Sequence, residues 1–134
     1  MNYMLDTNAC IQYLNGTSTH LRRKLESSQP EEIFLCAIVR AELFYGAIKS
    51  ANASKNVQKL RHFLNRFISL PFDDQCAEIY GEIRRQLEKE GNVIGPYDLM
   101  IAAIALSNKV ILVSHNTREF SRIKHLDLED WETE

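Results

Sequence analysis

Short apolar runs alternate with longer amphipathic stretches along the whole of this sequence. Tyr3, Met4 and Leu5 form an apolar run that ends at the turn formers Asp6-Thr7-Asn8, a pattern typical of a buried strand. Runs of the same kind predict further strands at residues 33–37, 70–72 and 110–113, with a last short strand at 126–128.

Helices are predicted between these strands. We expect Thr7 or Asn8 to cap the first helix, which runs to about Leu14 and stops at Asn15-Gly16. Residues 38–50 carry apolar side chains on most faces, which predicts a helix buried on more than one side. The other helices are predicted at residues 18–27, at 54–68, from Asp73 or Asp74 to Gly91, and from Pro96 through the almost wholly apolar residues 99–106.

This order of elements predicts an α/β fold. Strands that alternate with helices form a parallel sheet whose two faces are covered by helices, so we expect a three-layer sandwich. A chain of 134 residues can bury one core, and we expect a single domain over residues 1–134. Sites in open parallel sheets form at the carboxyl ends of the strands, which directs attention to the residues that follow them.

Composition narrows the class of protein. Hydrophobic residues make up 45% of the chain, and no apolar run approaches the roughly 20 residues that a membrane helix needs. The amino terminus has neither the basic nor the long apolar region of a secretion signal, so we expect a cytoplasmic protein without a membrane partner. Cys10, Cys36 and Cys76 are odd in number and widely spaced, which favours small core residues over disulfides or a thiolate zinc site.

The charge does not decide whether the partner is a nucleic acid. The net charge of −2 argues mildly against RNA, since nucleic-acid binders are usually basic. Basic side chains nevertheless cluster locally, and acids gathered around a metal would lower the net charge without removing a basic rim. Each cluster taken alone is better explained as a solvated helix face; they lie at residues 22–24, 55–66, 84–85 and 118–124.

Four acids stand where a site of this fold would form. Asp6 ends the first strand, Asp98 lies at the start of the apolar helix, Glu119 follows the fourth strand, and Glu42 lies in the helix after the second. Each has a simpler explanation when taken alone: Asp6 forms an Asx turn or caps the first helix, Asp98 complements a helix dipole, and Glu119 is an exposed charge. Glu42 is harder to explain in this way, because its neighbours are apolar and a buried carboxylate needs a partner or a metal. Arg40 is a poor partner, since residues two apart on a helix point in different directions.

Taken together, the four acids favour a divalent cation. Carboxylates packed together repel, and a cation removes that conflict. Oxygen ligands suit Mg²⁺ or Mn²⁺ rather than zinc. The histidines show no paired zinc-ligand spacing, although His115 stands out because it lies in the loop after the fourth strand. The chain has no Gly-x-Ser-x-Gly elbow and no glycine-rich loop after the first strand, which excludes the corresponding serine hydrolases and nucleotide-binding folds.

Five segments in order resemble the PIN-domain ribonucleases, and specifically the VapC toxins of bacterial type II toxin–antitoxin pairs. They are Met4-Leu5-Asp6-Thr7-Asn8, Ala41-Glu42-Leu43-Phe44-Tyr45-Gly46-Ala47, Ile94-Gly95-Pro96-Tyr97-Asp98-Leu99-Met100-Ile101-Ala102-Ala103, Leu112-Val113-Ser114-His115-Asn116-Thr117-Arg118-Glu119-Phe120 and Leu128-Glu129-Asp130-Trp131. The resemblance covers essentially the whole chain.

The resemblance implies a central parallel sheet, Mg²⁺-dependent RNA cleavage with Mn²⁺ as a substitute, a homodimer, and inhibition by a VapB-type antitoxin. It also implies a tRNA substrate, the initiator tRNA cut in its anticodon loop. Residues 8–14 and 38–50 carry more apolar surface than one core needs, so they are candidates for the groove that holds the antitoxin tail.

Asp6, Glu42 and Asp98 match the acids of the family. Many relatives have Asp near the fourth position, where this chain offers Glu119 and Asn116, and Ser114 replaces a more usual Thr. We assign all four acids as catalytic and metal-binding, and Thr7, Asn8, Ser114 and Asn116 as residues that support the ligands or contact the substrate. Asn116 is also a candidate weak ligand, and whether Asn116 or Glu119 is the fourth ligand stays open. Whether one or two metal ions bind stays open. Two other functions stay open as well: an inactive RNA- or protein-binding module of this fold, and a small metal-dependent phosphatase.

Overall fold

A five-stranded sheet lies at the centre of the molecule, seen in a computed structural model that describes residues 1–133. All neighbouring strands are parallel, in the order β3-β2-β1-β4-β5. The strands are β1 (Tyr3–Leu5), β2 (Ile33–Cys36), β3 (Ile68–Leu70), β4 (Ile111–Val113) and β5 (Leu128–Glu129). The predicted α/β fold with a central parallel sheet is confirmed.

Helices connect these strands. Right-handed crossovers place α1 to α4, which connect β1, β2 and β3, on one face of the sheet, and α5 and α6, which return from β3 to β4, on the other. The helices are α1 (Thr7–Asn15), α2 (Thr19–Ser27), α3 (Ala37–Ile48), α4 (Ala53–Leu64), α5 (Asp74–Glu90), α6 (Pro96–Asn108) and α7 (Thr117–Phe120), and a short 3₁₀ turn at Pro30–Glu32 precedes β2.

The buried apolar residues of the strands and of the helices that cover the sheet form one hydrophobic core. The predicted buried helix is α6, in which Leu99 and the run from Ile101 to Ala105 are almost completely buried. All three cysteines are buried and free, as predicted. None of the helices in residues 1–133 is both long enough and apolar enough to span a membrane.

The boundary between α4 and β3 differs from the prediction. The helix predicted to reach Ile68 ends at Leu64, and the strand predicted at 70–72 occupies Ile68–Leu70. The Arg40 guanidinium donates to the carbonyls of Leu64 (3.4 Å) and Phe67 (3.2 Å), which pins the turn between them. Pro71 follows the strand and has no N–H to donate to a neighbouring strand. The apolar pattern of residues 54–68 thus belongs partly to a helix and partly to a turn and a strand.

Three smaller predictions were also wrong. Neither Thr7 nor Asn8 caps α1; Asp6 does, because its Oδ1 accepts the Ala9 N–H at 2.8 Å. The last strand lies at Leu128–Glu129 rather than at 126–128, since its register with β4 pairs Leu112 with Leu128. Helix α3 buries Val39 and Leu43 but exposes 66% of Tyr45 and 62% of Ile48, so it packs on one side and leaves an apolar surface on the other.

The topological switch point of the sheet, where the strand order reverses, lies between β1 and β4. The chain runs outward from β1 through β2 to β3, then crosses back to β4 on the other side of β1 and continues outward to β5. The carboxyl ends of β1 and β4, which pair Leu5 with Val113, therefore border the crevice in which α/β proteins bind ligands.

Candidate metal centre

Asp6 occupies the middle of this crevice. It follows β1 directly, caps α1 and is only 4% exposed. Both of its oxygens are held: Oδ1 accepts the Ala9 N–H, and Oδ2 accepts the Ser114 hydroxyl at 2.6 Å. The pKa of Asp6 is nevertheless raised to about 6, mainly by burial and in part by the charges of Asp98 and Glu132, against the lowering effect of these two hydrogen bonds.

Ser114 connects Asp6 to the fourth acid. It is 1% exposed at the end of β4, where its hydroxyl donates to Asp6 and accepts the Asn116 backbone N–H at 2.9 Å. The Asn116 side-chain amide in turn donates to Glu119 Oε1 at 3.2 Å. A continuous chain of hydrogen bonds therefore connects Asp6 to Glu119 through Ser114 and Asn116.

Glu42 is held from the opposite side of the crevice. It projects from α3 and is half-buried, and its Oε1 accepts the Thr7 hydroxyl at 2.6 Å. Arg40 binds the carbonyls of Leu35, Leu64 and Phe67 instead of Glu42, as the helix geometry predicted. Asn8 is exposed and lines the same surface groove as Thr7 and Glu42.

Asp98 completes the set from the first turn of α6, behind Pro96. It is half-buried, and burial is the largest cause of its raised pKa. The negative charges of Glu119 and Glu42 raise this pKa as well. The four acids therefore act on one another: Asp98 raises the pKa of Asp6, while Glu42 and Glu119 raise that of Asp98. The structure brings together in one crevice the four residues that the sequence placed apart.

These residues fit a hard divalent cation. The donors are all carboxylate oxygens, which Mg²⁺ and Mn²⁺ accept, and a cation would offset the repulsion that raises the pKa values of Asp6 and Asp98. In the described part of the chain, no three of the four acids have oxygens within 4.8 Å of one another. Mg²⁺ commonly keeps several of its waters, so carboxylates at this wider spacing suit partly water-mediated ligation.

A second group of ligand-type side chains lies beside Asp6. His115, Asp130 and Glu132 offer ligand atoms that lie within 4.8 Å of one another. The sequence pointed to His115 by its place after β4, but not to the two acids, which belong to the carboxyl-terminal segment. Only the pairing of β5 with β4 brings them to His115, and no spacing in the sequence signals that contact.

Comparisons with known proteins agree with this geometry. The model of the PIN domain family matches residues 3–126. The chain is 41% identical to Ribonuclease VapC2 of Rickettsia felis, covering 98% of this chain and 99% of that protein. It is 37% identical to the tRNA(fMet)-specific endonuclease VapC of Salmonella typhimurium, covering 98% of each. A crystal structure of DNA-bound VapBC from Salmonella typhimurium contains a chain that superposes with a TM-score of 0.92 at 37% identity, covering 98% of each chain. The matching family model and these full-length likenesses show that the chain belongs to the PIN domain family and, within it, to the VapC ribonucleases.

Proposed function

We propose that this protein is a Mg²⁺-dependent endoribonuclease that acts as the toxin of a type II toxin–antitoxin pair, with Asp6, Glu42, Asp98 and Glu119 as its catalytic acids. The observation that carries the proposal is Asp6, a buried carboxylate whose pKa is raised to about 6 and which shares a crevice with three further acids. Such an arrangement is unfavourable without a cation, and the ribonuclease relatives supply the reaction that a cation would serve there.

The chemistry proposed is hydrolysis of an RNA phosphodiester. A bound divalent cation lowers the pKa of a water ligand and offsets negative charge on the phosphate. Asp6 and Asp98 would hold the principal ion, while Glu42 and Glu119 ligate through water or hold a second one. Thr7 holds the carboxylate of Glu42 by a hydrogen bond, and Ser114 and Asn116 connect Asp6 to Glu119 by hydrogen bonds. Addition of water to phosphorus in line with the leaving 3′ oxygen would give a 3′-hydroxyl and a 5′-phosphate.

Helices α1, α3 and α4 form a groove for an antitoxin tail. It has a volume of about 450 Å³, with apolar walls that include Ile11, Leu14 and Leu43, and it reaches Glu42 at one end. An apolar segment lying there would bring a following Arg to the acids, which Arg can bind bidentately. The Salmonella structure is described as a VapBC assembly, and we assign the VapB-type partner to this groove.

A homodimer would use the neighbouring apolar surface. Tyr45, Ile48 and Tyr97 are 66%, 62% and 59% exposed. Large apolar side chains exposed near one another commonly mark an interface. Sedimentation of the purified chain as a monomer at micromolar concentration would contradict a homodimer.

For the substrate we propose a tRNA, and within it the anticodon loop of the initiator tRNA. The support is the Salmonella relative, which is a tRNA(fMet)-specific endonuclease. A loop offers splayed bases and a strand that can bend into a crevice, which a helix does not. Arg118, next to Glu119, and the basic residues that follow it to Lys124 lie where they could contact stem phosphates. The buried free cysteines suit the reducing cytoplasm in which such a substrate occurs.

The test is cleavage of total RNA by purified protein, with new 5′ ends mapped in Mg²⁺ and in a chelator. We expect one dominant cut in a tRNA anticodon loop, lost in the chelator and in Asp98→Asn. Asp74→Asn, an exposed acid at the start of α5, is the matched control and should cleave normally. A main cut in ribosomal or messenger RNA would refute the substrate and spare the reaction. RNA bound but uncut would favour the non-catalytic module, and cleavage of small phosphate esters alone would favour the phosphatase.

A further inference from the structure

The side chains of His115, Asp130 and Glu132 form a compact group that the proposed cleavage reaction does not use; we call it the His115 cluster. His115 lies directly after the buried Ser114, and its Nδ1 is 2.9 Å from Asp130 Oδ2. One ligand atom of each of the three side chains lies within 4.8 Å of the other two. This separation is that of a hydrogen bond; two ligands of a tetrahedral ion at about 2.0–2.1 Å lie roughly 3.3 Å apart, so a small opening of the His115–Asp130 pair would admit an ion.

The backbone holds this cluster in place from both sides. On one side, the Ser114 N–H donates to the Glu129 carbonyl at 2.9 Å, which ties the His115 loop to β5. On the other, Trp131 between the two acids is 2% exposed, and its indole N–H donates to Glu129 Oε1 at 3.0 Å. The Glu132 backbone N–H donates to Asp130 Oδ1 at 2.9 Å and leaves Oδ2 directed at His115. The Asp130 carboxylate is therefore oriented by hydrogen bonds to both of its oxygens.

Charge also favours a cation at this place. Two carboxylates face one imidazole, and within residues 1–133 no Lys or Arg forms a salt bridge with Asp130 or Glu132. The Lys24 ammonium lies 5.8 Å from the centre of the ring of Trp131, the residue between the two acids. The excess negative charge reaches Asp6, whose pKa Glu132 helps to raise. His115 has 57% of its side chain exposed, so an ion can enter from solvent.

We propose that His115, Asp130 and Glu132 form a second divalent-metal site, which takes an imidazole-binding first-row ion such as Zn²⁺ in preference to Mg²⁺. Imidazole and carboxylate together suit Zn²⁺ and its transition-metal neighbours, whereas Mg²⁺ prefers oxygen ligands alone. Three protein ligands leave a position for water. The site is distinct from the four catalytic acids, so it does not depend on the proposed cleavage reaction.

The experiment measures Zn²⁺ uptake by untagged protein, by equilibrium dialysis and calorimetry in excess Mg²⁺. The Asp6→Asn/Asp98→Asn protein is used beside the wild type, so that ions at the catalytic acids do not contribute. We expect one Zn²⁺ per chain in both. His115→Gln and Glu132→Gln should each weaken binding by more than the about 10- to 100-fold that loss of an outer-shell contact costs. His62→Gln, an exposed histidine on α4, is the matched control and should bind as the wild type does.

Two further readouts separate a metal site from a structural ion pair. Co²⁺ in place of Zn²⁺ should give visible absorption that His115→Gln abolishes, and the His115 ring resonances should shift on Zn²⁺ addition. Thermal unfolding of each variant shows whether it folds. No uptake of Zn²⁺ by the double variant, or equal uptake in its His115→Gln form, would overturn the proposal. A variant that loses stability but binds Zn²⁺ normally would also overturn it, since His115–Asp130 would then be only an ion pair.

Discussion

Asp6 serves the fold and the site with the same carboxylate. One oxygen caps α1, and both oxygens accept hydrogen bonds from within a nearly water-free position. The structural explanation considered for this residue, a helix cap, is thus correct without excluding the functional one. In the metal-free protein the role of ligand conflicts with the burial of Asp6, because a metal ligand needs the charged carboxylate that burial opposes.

Replacing Asp6 by Asn should stabilise the metal-free protein at neutral pH. The folded-state pKa of about 6 exceeds the unfolded value of about 3.9, so the folded state holds an extra proton between them and loses stability as pH rises through that window. Asn caps helices as well as Asp and has no charge to desolvate. We expect a gain of up to about 2–3 kcal/mol at pH 7 that disappears near about pH 4. Urea unfolding in a chelator measures it, and a difference independent of pH would contradict it.

Ser114 should control the pH at which cleavage activity falls on the acidic side of its pH profile. Ser114→Ala removes the hydroxyl that donates to Asp6, so the pKa of Asp6 should rise further. Since a metal requires the ionised carboxylate, the fall of kcat/KM at low pH should move upward by about one pH unit. Ser114→Thr retains a hydroxyl and should restore the original profile, and the exposed Ser121→Ala should leave it unchanged. A uniform loss of activity at all pH values would indicate a packing defect instead.

Residues of the site differ in how visible they are in the sequence. Asp6 and Asp98 could be predicted because each stands at the end of an apolar strand or at the start of an apolar helix. The bond from Thr7 to Glu42, and the path from Ser114 through Asn116 to Glu119, depend on rotamers that packing decides. Asp130 and Glu132 could not be predicted, because a strand of two residues brings them to His115.

At the scale of elements, periodicity predicted which segments fold as helix or strand better than where they end. Helix α6 and strands β1 and β4 follow from their apolar residues alone. The end of α4 does not, because Arg40, more than twenty residues earlier in the chain, donates to the carbonyls that form the turn. The prediction that α3 is buried on more than one side is wrong for a similar reason. The sequence alone does not distinguish apolar residues at an exposed surface from apolar residues in a core.

Arg40→Ala should destabilise the fold and leave the chemistry intact. The guanidinium donates to the carbonyls of Leu35, Leu64 and Phe67, which join β2, α4 and the turn before β3. Losing these charged donors leaves partly buried carbonyls unpaired, and we expect a loss of about 2 kcal/mol. Urea unfolding measures it, with Arg23→Ala on the exposed side of α2 as the control. RNA cleavage per folded molecule should be unchanged, and an equally large effect of both substitutions would refute the role given to Arg40.

At the scale of the whole molecule, the groove between α1, α3 and α4 links partner binding to the catalytic acids. Its apolar lining includes Ile11 and Leu14, which are 37% and 45% exposed, and Glu42 is also one of its lining residues. This groove accounts for the partly exposed Ile11 and Leu14, whereas Tyr45 and Ile48 belong to the surface proposed for the homodimer. An antitoxin tail bound there would block the acids without altering any of them, so binding and catalysis should be separable by substitution.

Leu14→Gln should weaken antitoxin binding without affecting catalysis. Leu14 is 45% exposed, lines the groove and lies two helical turns from Thr7, and Gln keeps both its length and its helix propensity. Burying a Leu side chain is worth about 1.5–3 kcal/mol, so affinity for a VapB-type antitoxin should fall by about tenfold or more. Cleavage of RNA by the free protein should be unchanged.

Ile68→Gln is the matched control, because Ile68 is 49% exposed on the edge strand β3 and lies outside the groove. Calorimetry of antitoxin binding, run beside the cleavage assay, measures both effects. Equal affinities for the Leu14→Gln and Ile68→Gln proteins would place the antitoxin on another surface.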